Sequence, residues 1–138
     1  LSIRPKVTYK SQDNRCLIVP VYASVSTEDY KIRYRIVANG TLTGASWTSV
    51  NASSATEYDV SATALSGGEQ IFADYLPNDM GSSAINLEPL FDVLGRVIRN
   101  AGFLGTGNDV ADVLTIVAEN QAVGRTRVRA NLAWTEIE

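Results

Sequence analysis

Six acidic side chains stand in pairs close in sequence: Asp74 with Asp79, Asp109 with Asp112, and Glu136 with Glu138. Two carboxyls facing each other across a cleft would be the acid and the base or nucleophile of a glycoside hydrolase. In practice this is the one catalytic route that the residue types leave open. The chain contains no histidine, which removes Ser-His-Asp and Cys-His nucleophiles, histidine metal sites and the usual switch near neutral pH. Cys16 is the single cysteine, so an intrachain disulfide and a four-cysteine zinc site are both ruled out. Its place in the apolar run Cys16-Leu17-Ile18-Val19 is that of a buried thiol acting as a small hydrophobe. The acidic pairs flank loops or end the chain, and a domain this small has little room for a cleft. They read as surface and turn carboxylates, and no catalytic residue is assigned.

Binding motifs are equally sparse. Gly105-Thr106-Gly107-Asn108-Asp109 gathers glycine and oxygen donors but lacks the spaced acidic ligands of an EF-hand loop, so it reads as a turn. No Gly-Lys-Ser/Thr follows Ser66-Gly67-Gly68 or the glycines of 102–107, so neither is a phosphate cradle. Asn39-Gly40-Thr41 and Asn51-Ala52-Ser53 fit the N-glycosylation pattern and, equally, turns of a β protein. No cofactor and no metal is expected. Lys31, Arg33 and Arg35 alternate along one stretch, Arg127 and Arg129 along another, and the two runs could line up on one outer face of adjacent strands. They are either solvated strand faces that discourage edge pairing or a cationic stripe for an acidic sugar or an acidic neighbouring subunit. Trp47 and the tyrosines could stack on sugar rings, whereas Tyr30, Tyr34 and Trp134 read as core. The candidate interaction surface is therefore Lys31, Arg33, Arg35, Arg127, Arg129 and Trp47. A net charge of −3, from 12 Lys+Arg against 15 Asp+Glu, argues against nucleic acid as a partner, because phosphate binding needs a concentrated basic surface. No apolar run approaches the ~20 residues of a membrane span and no basic-then-apolar leader opens the chain. A soluble chain without membrane insertion is expected.

The elements that would carry these residues are strands. In 29–38, DYKIRYRIVA, residues Tyr30, Ile32, Tyr34, Ile36 and Ala38 share one face, and Lys31, Arg33 and Arg35 the other. That is the period of a half-buried antiparallel strand. Further candidates are 15–24, 41–50, 57–64, 69–76, 111–118 and 126–137, separated by Asn39-Gly40, 51–55, Gly67-Gly68, 77–83, 100–108 and 120–124. Pro20 inside 15–24 calls for an edge position or a bulge. Residues 1–14 alternate only weakly and read as an N-terminal arm or connector, leaving 15–138 as a single domain. At 87–98 two readings stay open. Leu87, Leu90, Phe91, Leu94, Val97 and Ile98 match a helix face and Pro89 suits a first turn, but Gly95 and the β-branched residues suit a bulged strand. With 138 residues, 45% of them apolar, the chain can bury a proper core. Seven or eight strands at this spacing predict an all-β, mainly antiparallel fold, a β-sandwich or jelly roll.

Four stretches, LTGASW at 42–47, ATALSGG at 62–68, DVLTIVA at 112–118 and LAWTEI at 132–137, resemble in order and ending a group of small β-rich virion proteins encoded by tailed bacteriophages. The resemblance covers roughly 30–137, and none of its motifs is catalytic. It implies a non-enzymatic structural part of the virion, a tail fibre or appendage or a capsid-decorating protein. It also implies contacts with other virion proteins and with further copies of itself, in a symmetric oligomer such as a trimer. The insert at 87–107 departs from the pattern, and its apolar face (Leu87, Leu90, Phe91, Leu94, Val97, Ile98) is the candidate subunit contact. The alternative is a carbohydrate-binding module for host-surface glycans, which an exposed Trp47 would favour.

Overall fold

The computed structural model describes residues 1–77, 81–94, 98–99 and 111–138, with the backbone alone for 92–94. In chain order the strands are β1 (Ser2–Pro5), β2 (Thr8–Tyr9), β3 (Gln12–Asp13), β4 (Leu17–Thr27), β5 (Ile32–Ala38), β6 (Thr41–Thr43) and β7 (Thr48–Ser49). There follow β8 (Thr56–Asp59), β9 (Ala64–Ser66), β10 (Glu69–Leu76), β11 (Ser82–Asn86), the helix α1 (Glu88–Leu94), β12 (Leu114–Asn120) and β13 (Val128–Ile137). The fold is all-β and antiparallel, as the alternation requires. One sheet has the order β10-β5-β12-β1-β8-β7 and a smaller one the order β11-β4-β13, with two short ribbons, β2-β3 and β6-β9.

The two main sheets share one core, in the manner of a sandwich with unequal layers. Ile32, Tyr34 and Ile36 of β5, Leu114 and Ile116 of β12 and Ile3 of β1 cluster with Ile18, Ala23 and Val25 of β4. Tyr34 is fully buried, and its hydroxyl meets the Ser83 hydroxyl on β11 at 2.7 Å, which satisfies its one polar atom. Pro20 sits beside a bulge: Ala133 pairs with Tyr22 and Trp134 with Pro20, so Val21 is the extra residue on β4.

Residues 1–14, expected as an arm or connector, instead supply an interior strand and a small hairpin. β1 lies between β12 and β8, and Ser2, Ile3 and Pro5 are all buried. A strand covered on both faces loses the polar-apolar alternation that would have marked it, and β1 is only four residues long.

The ambiguous stretch resolves into helix and bridge. The Asn86 carboxamide oxygen accepts the Glu88 N–H, Pro89 stands in the first turn, and α1 then runs seven residues. Beyond it Ile98 forms a two-residue bridge with Ile18. Of the residues expected at a subunit contact, Leu87, Phe91 and Ile98 are buried in the chain's own core, and Leu90 packs partly buried against it. An apolar stripe shows that something covers it, not whether the cover is the same chain. The Leu94 side chain and Val97 lie outside the described residues.

The Asn39-Gly40 turn does not close a simple hairpin. Ala38 pairs with Glu69 and Thr41 with Ser66, so β5-β6 and β9-β10 are one antiparallel ribbon that kinks where Asn39-Gly40 faces Gly67-Gly68. Asn39 takes φ 57° and Gly68 φ 81°. A Cβ on Gly68 would stand 2.7 Å from the Gly40 nitrogen and 2.8 Å from the Ala38 carbonyl oxygen, so glycine is required at the corner.

Candidate interaction surface

On the outer face of the large sheet Arg33 and Arg35 project from β5, and Glu119 stands directly opposite Arg33 on β12. The Glu119 carboxylate takes Arg35 Nη2 at 2.7 Å and Arg33 Nη1 at 3.7 Å. Lys31, one residue before β5, holds its ammonium 5.0 Å from the centre of the Tyr75 ring on β10. Arg127 and Arg129 belong to the other sheet, where both reach Glu28, at 3.7 and 2.6 Å. The two basic runs therefore do not make one stripe. β5 has β10 and β12 as neighbours and β13 has β4, so the cations form two clusters, each joined to a glutamate. Sequence reasoning missed Glu119 and Glu28 because their role depends on strand register, which the chain order does not display.

Trp47 lies between β6 and β7 and is half-buried. The Arg4 guanidinium carbon stands 4.1 Å from its ring centre, a cation–π contact, while Arg4 Nε donates to Glu57 at 2.5 Å across the β1-β8 pair. One face of the indole is thus occupied by the chain itself. Trp134 is also half-buried, against the core, and its indole N–H donates to Glu136 at 3.2 Å.

Of the six acids considered for catalysis, Glu136 and Asp112 are engaged by framework donors. Glu136 accepts the Ser54 and Thr56 hydroxyls at 2.5 Å each and the Ala55 N–H at 2.8 Å. Burial raises the pKa of its carboxyl, and these bonds together with the Trp134 indole outweigh burial and bring it below the ordinary value. Glu138 turns away to Lys10 at 2.5 Å on the exposed surface. Asp112 accepts the Asn39 carboxamide N–H at 3.0 Å and the Arg99 backbone N–H at 3.1 Å, and Asn39 in return accepts the Val113 N–H at 2.9 Å. Asp74 is exposed and accepts the N–H of Tyr75. Asp79 and the 105–109 loop lie outside the described residues.

Among the described residues the carboxylate most strongly perturbed is one that was not singled out from sequence. Asp59, at the end of β8, is 1% exposed. Its Oδ1 accepts the Ser46 N–H at 2.8 Å, the Ser61 N–H at 3.0 Å and the Ser61 hydroxyl at 2.5 Å, and its Oδ2 accepts the Ala62 N–H at 3.1 Å. Burial pushes this carboxyl up, and the four bonds overcome that and hold its pKa at about 2. The residue pins both flanks of the β6–β9 excursion. Its sequence signal was the Asp-x-Ser spacing of a side chain that bonds its own backbone two residues on.

A cavity of about 410 Å³ opens between the ribbon kink and α1, lined by Asn39, Gly68, Glu69, Phe91, Arg99 and Asp112 among others. Asn39 and Asp112, which supply part of its polar lining, are bonded as just described. Among the described residues no three acidic or cysteine side chains gather as a metal site would need, and no helix is long and apolar enough to cross a membrane. No protein family, curated protein or solved structure matches the chain.

Proposed function

We propose that the chain is a non-enzymatic contact module, a structural component of a tailed-phage virion of the tail-fibre, appendage or capsid-decorating kind. The observation that carries the contact reading is the use made of its acids. Asp59 and Glu136 each accept four hydrogen bonds from neighbouring backbone and side chains, and Glu28, Glu57 and Glu119 hold arginines. A catalytic acid or base must keep a lone pair or proton for substrate, and these groups are spent on shape. The virion assignment rests on the four resembling stretches, and the partners it implies are other virion proteins and further copies of the chain.

The glycan-binding alternative draws less support, since it called for an exposed Trp47 and the ring is half-buried, with Arg4 over one of its two faces. Mass spectrometry of gradient-purified particles, from a phage carrying the gene, tests the proposal. Peptides of this chain are expected in fixed, multi-copy ratio to the major capsid protein. Their absence from intact particles would overturn the reading.

A further inference from the structure

We propose that Asn39 is a site of covalent modification, a deamidation site that the fold holds shut and whose conversion breaks the contact that protects it. The chemistry asks nothing of a partner and stands apart from the contact-module reading. Asn39 is the one asparagine of the sequence that is followed by glycine. In such a pair the backbone nitrogen of the glycine can attack Cγ of the asparagine, because no Cβ crowds the approach. The nitrogen loses its proton, the Cγ–Nδ2 bond breaks and ammonia leaves, which closes a five-membered imide. Water then opens the imide at either carbonyl and leaves a carboxylate at position 39, on a normal or a β-linked backbone.

Ring closure requires the Asn39 side chain to swing back over the Gly40 nitrogen, and the structure ties that side chain down. The Asn39 N–H donates to the Val113 carbonyl at 2.8 Å. Its Oδ1 accepts the Val113 N–H at 2.9 Å, and its Nδ2 donates to Asp112 Oδ1 at 3.0 Å. Ala38 pairs with Leu114 just before, so the backbone and side chain of Asn39 together carry the β5-β12 ladder one step further. Both polar atoms of the carboxamide are engaged, and the backbone is set at φ 57° by the ribbon kink. Access of water does not limit the reaction, since Asn39 is exposed. The clamp limits it: cyclisation waits on a local opening that frees both side-chain bonds.

Conversion is one-way for the clamp as well. A carboxylate at position 39 has no N–H to give, and one of its oxygens would replace the Nδ2 that now stands 3.0 Å from Asp112. Like charges this close oppose each other's ionisation. Asp112 is held from its other oxygen by the Arg99 N–H at 3.1 Å, so turning away would cost that bond too. The modified chain therefore loses the tie between the ribbon kink and residues 112–113.

Peptide mapping by mass spectrometry tests this, on the purified chain held at mildly alkaline pH and on the same chain unfolded in urea. Conversion at Asn39 is expected to be about tenfold or more slower in the folded chain. Asp112→Asn keeps an acceptor for Arg99 but adds an amide N–H that competes with the Asn39 bond. The folded variant is expected to convert several-fold faster than wild type. Asn39→Asp imitates the product and is expected to lower the thermal midpoint and to speed exchange of the Val113 amide. The double variant Asn39→Asp/Asp112→Asn exchanges donor and acceptor and is expected to recover both. Equal conversion in folded and unfolded wild type, or a folded Asp112→Asn chain as slow as wild type, would overturn the lock. An Asn39→Asp chain as stable as wild type, or a double variant no more stable than Asn39→Asp alone, would overturn the loss of the clamp.

Discussion

Asp59 and Glu136 show how bonds from the surrounding framework can lower a carboxyl's pKa against the opposing effect of burial. For Asp59 the folded pKa of about 2 lies below the model-peptide value of 3.8. The stabilisation is then fully present above pH ~4 and lost as the pH falls towards 2. At about 1.4 kcal/mol per unit it is worth roughly 2 kcal/mol. Asp59→Asn is expected to lower stability by about 2 kcal/mol at pH 7. It should also flatten the acid limb of the stability curve between pH 4 and 2, read by urea denaturation at stepped pH. Glu136 acts in the same direction, since its folded pKa is also depressed. Glu136→Gln puts an amide N–H against a ring of donors and is expected to cost about 1–3 kcal/mol. Its signature would be a change in Trp134 fluorescence, because the indole loses its charged acceptor. An increase in stability for either variant would contradict the structural role assigned to these acids.

At the scale of elements, the kinked ribbon and α1 carry the expectations most open to test. Gly68→Ala brings a methyl into the Gly40 backbone at a positive φ and is expected to destabilise by about 1–3 kcal/mol, seen as a lower thermal midpoint. Phe91→Ala empties a core position that is 3% exposed and is expected to cost about 3–5 kcal/mol. A loss under 1 kcal/mol would mean that the helix is peripheral. Legibility followed coverage. β5 was readable because its outer face is polar and its inner face apolar, and Pro20 announced the bulge at Val21. β1 was not, because both its faces are covered and Ser2 is as buried as Ile3. The helix face was visible as an apolar stripe, but its destination in the chain's own core was not. The cationic residues were legible and their glutamate partners were hidden in the register. Asp59 was readable only as a turn residue, since its four donors come from both ends of a loop.

For the whole molecule, the unequal sandwich leaves the ten-residue β13 at one edge of the small sheet and a kinked ribbon on the large one, with Glu28, Glu57 and Glu119 paired to arginines in place. On the proposed reading such an object works through edges and faces offered to neighbours, and those neighbours are other proteins of a virion. Cryo-EM of the intact virion, at a resolution that traces β5 and β13, tests this directly. The account predicts multiple copies around a symmetry axis, each touching its neighbours through strand edges or faces. A single copy with no protein neighbour, its 410 Å³ cavity filled by a bound small molecule, would contradict it.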